Sequence, residues 1–325
     1  MKSELRKRLA KVGGFVSLLA VYIAVPAASA QRFTDWGPPE NLGPVVNSTF
    51  NDQHPAISKN GLSLYFTSNR PGGSGGLDIW VSQREDRESP WGVPQNLGPL
   101  INASGNDLAP AFSPDGHHLY FHSTRPGGCG GQDLYVSYRR HKNDDFAWEP
   151  PMNLGCVVNS PFDDAGPTIF VDDETETTYL YFTRNPFTIG NVPNLPDGYD
   201  IMVSILGEDG QFGPAALVEE LYSPFRDTRT AISRNGLEMI LSSGRPGGLG
   251  SEDLWVSTRE STEDPWGTPV NLGPLVNTPS FEGAPALSRD GTTLYFFSEK
   301  PGGLGQRDLY VSTRSRIRGH RESND

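Results

Sequence analysis

The sequence predicts an all-β fold, a five-bladed β-propeller whose ring is closed by its own N-terminal strand. Three observations carry this reading. The string R-P-G-G-x-G-G-x-D-(I/L)-(W/Y)-V-S runs from Arg70 to Ser82 and again from Arg125 to Ser137; looser copies run from Arg245 to Ser257 and from Lys300 to Ser312, and a degraded copy ends at Asp200–Ser204. Its aspartate recurs as Asp78, Asp133, Asp200, Asp253 and Asp308, at spacings of 55, 67, 53 and 55 residues, so one supersecondary unit is used five times. The 37 glycines and 28 prolines sit at fixed offsets between short apolar runs and read as turns, and no segment sustains a helical period.

The second copy shows the unit. Ala109 to Ser113 is a short strand, Pro114-Asp115-Gly116 a tight turn, and Leu119 to Ser123 a second, aromatic strand. A glycine loop from Arg125 to Gln132 leads into a third strand, Asp133 to Ser137, and Trp148 to Leu154 forms a fourth after a polar loop. Four short antiparallel strands repeated radially make a propeller. The fourth-strand motif starts at Trp36, Trp91, Trp148, Phe212 and Trp266, whereas the first strands start near Pro55, Pro110, Pro167, Thr230 and Pro285. The chain therefore opens with an orphan outer strand and ends with three orphan inner ones. Pairing Trp36–Leu42 beside Asp308–Ser312 completes the last blade and removes an open edge.

The start of the chain reads as a leader. Lys2, Arg6, Lys7, Arg8 and Lys11 precede an apolar stretch from about Val12 to Val25, and Ala28-Ser29-Ala30 supplies a cleavage site. The expected organisation is a signal peptide over 1–30, the propeller over 31–314 and a flexible tail over 315–325, with Arg314, Arg316, Arg318 and Arg321 making this end basic. The implied location is periplasmic or secreted. Removing the leader moves the formal charge from −12 to −16, which disfavours nucleic acid and anionic membranes as partners. The mature chain has no stretch long enough to span a bilayer.

The core P-A-(I/F)-S-x-(D/N)-G-x-x-L-Y-F-x-S-x-R-P-G-G, followed by G-x-D-(L/I)-(Y/W)-V-S, resembles the TolB-type, WD-like propeller repeats of exported bacterial proteins from about Trp36 to Arg314. That resemblance implies a periplasmic interaction module; some similar propellers carry polysaccharide-degrading activity.

Residues present in every copy read as scaffold, so chemistry is sought where copies differ. Each first strand is preceded by a carboxylate: Asp52, Asp107, Asp164, Asp227 and Glu282. Four of these follow an asparagine by five residues (Asn47, Asn102, Asn159, Asn277), and Tyr222 takes that place in blade four. Such a ring suits a cation or sugar hydroxyls, but pairing with Arg70, Arg125, Arg245 and Lys300 is the stronger expectation. Two residues further on, the copies read His54, Ala109, Gly166, Arg229 and Ala284, so His54 and Arg229 are expected at the channel mouth. Phe50, Phe162, Phe225 and Phe281 gather on the same loops, as rim aromatics or inter-blade wedges. The insertion from Asn185 to Tyr199 in blade three is a candidate specificity loop. Cys129 and Cys156 fall on neighbouring loops and are expected to form a disulfide.

His117 and His118 read as a surface pair and His122 as a strand residue. No nucleotide, zinc or serine-nucleophile motif is present, so no metal and no cofactor are expected. The first expectation for function is a non-catalytic binding module engaging an envelope protein, a peptide or a glycan. The alternative is a polysaccharide-active enzyme, a glycoside hydrolase or lyase, which needs non-equivalent carboxylates at the channel mouth.

Overall fold

The computed structural model describes residues 33–185 and 198–317. The expected leader (1–30), most of the blade-three insertion (186–197) and the last residues of the tail (318–325) lie outside the described residues. The first paired segment, β1 (Glu40–Asn41), is followed by blade one, which is β2 (Asp52–Ile57), β3 (Ser63–Ser68), β4 (Asp78–Gln83) and β5 (Gln95–Asn96). Blade two is β6 (Asp107–Phe112), β7 (His118–Ser123), β8 (Asp133–Tyr138) and β9 (Met152–Asn153). Blade three is β10 (Asp163–Val171), β11 (Thr178–Asn185), β12 (Asp200–Ile205) and β13 (Ala216–Leu217). Blade four is β14 (Asp227–Ile232), β15 (Glu238–Ser243), β16 (Asp253–Thr258) and β17 (Val270–Asn271). Blade five is β18 (Glu282–Leu287), β19 (Thr293–Ser298) and β20 (Asp308–Thr313), completed by β1. The innermost strands touch in ring order, and β18 touches β2. The fold is the five-bladed propeller that the repeats predict. No helix among the described residues is long and apolar enough to cross a membrane.

The core lies between blades rather than inside one. Tyr65, Ile79 and Val81 of blade one pack on Leu119, Phe121 and Tyr135 of blade two, and similar clusters fill other joints. Each sheet is one strand thick, so both of its faces must be covered by neighbours.

Closure is built from the contacts used inside the other blades. Glu40 pairs with Val311 and Asn41 with Tyr310. Asn41 Nδ2 donates to Asp308, as Asn96 does to Asp78 and Asn271 to Asp253. Asn47 clamps the Leu309 backbone from both sides, as Asn102 clamps Ile79 and Asn277 clamps Leu254. The Arg314 guanidinium lies 4.2 Å from the Trp36 ring, matching Arg84 on Trp91 at 4.3 Å and Arg259 on Trp266 at 4.2 Å. Arg314 also pairs with Glu238 at 2.6 Å, so the first arginine of the basic end is part of the seal rather than of a frayed terminus. The pairing continues to Arg316, which bridges to Phe33.

Trp36→Ala should therefore cost about 3–5 kcal/mol, as for other buried tryptophans. Trp91→Ala should cost a similar amount if the seal is built like an internal joint. Removing the chain through Leu42 should lower the thermal transition further. Urea and thermal melts check this, and an unchanged transition would show that the ring holds without its seal.

Candidate functional site

All five carboxylates at the heads of the innermost strands are fully buried. Asp52 pairs with Arg70 at 2.5 Å, Asp107 with Arg125 at 2.6 Å and Asp227 with Arg245 at 2.7 Å. Each of these arginines also donates to a backbone carbonyl of the preceding loop: Val46, Ile101 or Leu221. Blade three preserves the grip by a different route. Arg184 stands directly across the strand pair from Asp164, where the other blades have Ser68, Ser123, Ser243 and Ser298, and its Nε reaches Asp164 at 2.7 Å.

Blade five departs from the expected pairing. The Lys300 ammonium sits 4.0 Å from the centre of the Tyr310 ring. Glu282, one methylene longer than aspartate, is held by the Thr278 and Ser298 hydroxyls, each at 2.6 Å, and burial pushes its carboxyl above the usual range. These five groups tie loops together and leave no carboxylate face open to a ligand.

The third-strand aspartates are committed in the same way. Asp78, Asp133, Asp253 and Asp308 each accept backbone amides from their own glycine loop. That loop must be glycine: a Cβ on Gly75 would run into the Gly105 carbonyl of the next blade. The Cys129–Cys156 disulfide pins the blade-two loop to the loop that follows its fourth strand, with Cα atoms 5.6 Å apart. Closing 27 residues in this way contributes roughly 3.5 kcal/mol in the chain-entropy picture.

Each innermost strand bulges at one position, where the backbone turns into the left-handed region. The residues there are His54 (φ 52°), Ala109 (57°), Gly166 (63°), Arg229 (36°) and Ala284 (51°). The register of the innermost pair slips at the same place in every blade. This re-aims the side chain toward the axis. The bulge amide is met by the blade before it: Ala109 N–H donates to Thr67 Oγ1, Ala284 N–H to Ser242 Oγ and Gly166 N–H to His122 Nδ1. His122 is therefore a joint residue rather than a catalyst. Burial, with Arg229 nearby, pulls its pKa down to about 3.

His54 and Arg229 do meet at the axis, as expected from the copies. They line a cavity of about 320 Å³ at the channel mouth. Its walls include the residue just before the third-strand aspartate in four blades, and in blade four Glu252 stands behind the lining residues Arg226 and Thr228. That position reads Leu77, Gln132, Tyr199, Glu252 and Arg307, and comparing the copies there would have exposed the asymmetry. Gln53, Thr228 and Arg226 add polar groups.

Three carboxylates that contact lining residues of this cavity, without lining it themselves, are not repeat-equivalent. Glu252 is buried, pairs with Arg226 at 3.0 Å and accepts from Thr228 at 3.3 Å; burial raises its pKa against the pull of Arg226. Glu299 is part-exposed and pairs with Arg307 at 2.8 Å. Asp163 is buried and raised by desolvation, but Gln132 engages it, just as Asn106 holds the amide of Leu77 one blade earlier.

The aromatics separate into two groups. Phe50 and Phe225 are each 40% exposed on the rim. Phe162 is half-buried. Phe281 lies one residue closer to its carboxylate than the others and turns inward onto Phe297, ring centres 4.9 Å apart. His117 stacks on Tyr138 and its Nδ1 lies 2.9 Å from the Arg139 carbonyl, away from this mouth. Asp173, on the opposite face, pairs with Arg234.

Arg70→Met leaves Asp52 buried without its partner and should destabilise the fold by about 3–5 kcal/mol, measured by denaturant titration. A separate outcome concerns pH. His122 is neutral in the fold but takes up a proton near 6.5 when unfolded, so its stabilising contribution is present above that value and is lost as pH falls toward 3. The wild type should lose about 2.5 kcal/mol between pH 7 and pH 4.5 through this group alone. His122→Asn should recover much of that difference, and an unaltered pH profile in the variant would assign the loss elsewhere.

No family model and no curated protein sequence matches the chain. Solved structures do match. A thermostable family-43 glycoside hydrolase aligns over 87% of this chain and 94% of its own, at 12% identity and a TM-score of 0.58. The α-L-arabinofuranosidase PaAbf62A of Podospora anserina, solved with cellotriose, covers 88% of this chain and 97% of its own at 12% identity, TM-score 0.55. A xylan β-1,4-xylosidase of Bacillus halodurans C-125 matches 87% of this chain with 55% of its own at 17% identity, TM-score 0.54. At such identities the likeness is one of fold. It corrects two expectations. These matching chains are glycoside hydrolase propellers, not TolB-type repeat proteins. The expectation of a non-catalytic interaction module is overturned by these matches, which favour the polysaccharide-active alternative.

Proposed function

We propose that the protein is an exported polysaccharide-active enzyme, a glycoside hydrolase, with its site at the channel mouth. The observation that carries this is the pair of blade-specific carboxylates Glu252 and Glu299 in adjacent blades, each paired with an arginine that lines the mouth, Arg226 and Arg307, while the five repeated carboxylates are all committed to the scaffold. Glycoside hydrolysis needs two carboxyl groups in different environments, one protonated and one ionised. Glu252 is the proton donor: burial favours its neutral form, and the half-exposed Arg226 can swing away when a sugar enters. Glu299, fixed by Arg307 and open to water, is the carboxylate that activates water or attacks. Gln53, Gln132, Tyr199 and Thr228 offer hydrogen-bonding partners to sugar hydroxyls, and Phe281 an apolar face. Relatives in fold solved with xylotriose or cellotriose make short xylan- and cellulose-type chains the first substrates to try. The disulfide suits an oxidising compartment outside the cytoplasm.

Release of reducing ends from arabinoxylan, xylan and cello-oligosaccharides tests the proposal. Glu252→Gln should lower turnover by roughly 10²–10⁴-fold with little change in melting temperature. Glu299→Gln should also be impaired, whereas Asp163→Asn should keep its rate. Glycan binding without turnover would withdraw the hydrolase assignment, and neither binding nor turnover across the panel would withdraw the site.

A further inference from the structure

Arg229 is the one residue at the left-handed bulge that crosses the axis. Its side chain leaves blade four and passes over Gly166 of blade three, where a Cβ would collide with its Cδ. Its Nη1 then donates to the Ala109 carbonyl of blade two at 3.1 Å. Ala109, Gly166 and Ala284 are small at the equivalent positions, and the space they leave is what Arg229 and His54 occupy. A long side chain in the left-handed region is the kind of backbone outlier that points to a role.

Arg229 is 7% exposed, and its Nε–H has no acceptor among the described residues. Arg70, Arg125, Arg184 and Arg245 each face a carboxylate, but no carboxylate pairs with Arg229 among the described residues. Its charged neighbours do not compensate it. Arg307 on the same cavity is a further cation, already engaged by Glu299 and Gln53. His54 and His122 flank it as neutral imidazoles, held so by burial and by Arg229 itself. His54 Nδ1 is out of contact with water and, like Arg229 Nε, has no partner. A buried cation without a counter-charge is strongly unfavourable, and such sites are normally completed by an anion. The two residues that carry these unpartnered nitrogens and the uncompensated charge line one cavity of about 320 Å³.

We propose that the channel mouth is an anion receptor, and that its ligand is the carboxylate of a uronic acid residue, bound by the Arg229 guanidinium and the His54 imidazole. A guanidinium suits a planar carboxylate, and the cavity volume lies at the lower end of the range for small-molecule sites, about 300–1,000 Å³. The remaining lining supplies what a sugar ring needs: amides at Gln53 and Gln132, hydroxyls at Thr228 and Tyr199, and aromatic faces at Phe281 and Phe297. The sugar half of this proposal rests on the glycan reading above; the anion half rests on Arg229 and His54 alone.

Calorimetric titration of the intact protein with glucuronate and galacturonate, against glucose and xylose at matched ionic strength, tests it. The wild type should bind a uronate at least roughly tenfold more tightly than its neutral counterpart, and Arg229→Met should abolish that preference. Arg229→Met removes an uncompensated charge, so its melting temperature without uronate should be equal to or above that of the wild type. His54→Phe gives a second reading if Arg229→Met fails to fold, and it should weaken uronate binding while leaving glucose unaffected. Equal binding of uronate and neutral sugar by the wild type overturns the proposal, as does an undiminished preference in Arg229→Met. Chloride competing as well as uronate would overturn the sugar-acid identity and leave an inorganic anion site. Retained uronate binding alongside failure of every hydrolysis assay would sink the enzyme assignment and not this one.

Discussion

Each blade hangs from a carboxylate at the head of its innermost strand, and the ring depends on that grip. The carboxylate is fully buried, so it must be satisfied from several directions at once. In blade one, Asp52 accepts from the Ser48 amide and hydroxyl and from Arg70, while Arg70 reaches back to the Val46 carbonyl. One ion pair therefore fixes the loop entering the blade and the loop within it. Asn47 and its counterparts in three other blades then fasten the entering loop to the third strand of the preceding blade. The propeller is a ring of polar locks, with apolar cores filling the wedges between them.

This construction decides where chemistry can sit. Ten acidic positions recur with the fold, two per blade, and nine of them are seen holding loops or strands together; the glycine-loop counterpart that would be held by Asp200 lies outside the described residues. A carboxylate committed in this way has neither the exposure nor the freedom to act on a substrate. Glu252 and Glu299, which pair with the lining arginines Arg226 and Arg307, each stand at a position filled by another residue type in the other blades. The bulge concentrates this asymmetry. It turns one residue per blade toward the axis and favours small side chains, so the two blades that present His54 and Arg229 shape the mouth between them.

The two ends of the axis differ accordingly. At the opposite end, a cavity of about 560 Å³ is walled by Ile57, Phe112, Ile169, Ile232 and Leu287, one apolar residue from the same register position in each innermost strand. A lining that repeats with the blades belongs to the scaffold. The acids Asp172, Asp173 and Glu174 fall toward that end and are remote from the mouth. The mouth has no such repetition: blade by blade it offers imidazole, small side chains, amide and guanidinium.

By itself the sequence determined the blade number, the strand order and the closure by Trp36–Leu42, because a repeat of about 55 residues with punctuating glycines fixes which segments pair and in what phase. It also determined that Cys129 and Cys156 lie on neighbouring loops, since both replace residues of known place in the unit. It did not determine which solved structures share the fold: the repeat motif encodes turns and locks that any such propeller can use, and its TolB-type resemblance is not what the structural matches show. Nor did it reveal the partner of Asp164, because Arg184 grips it from a different strand position. Only the tertiary structure decided which side chains meet across the axis. That depends on the left-handed bulge and on the angle between blades, which bring Arg229 to Ala109 across 120 residues of chain. No periodicity along the sequence records a contact between strands that never pair.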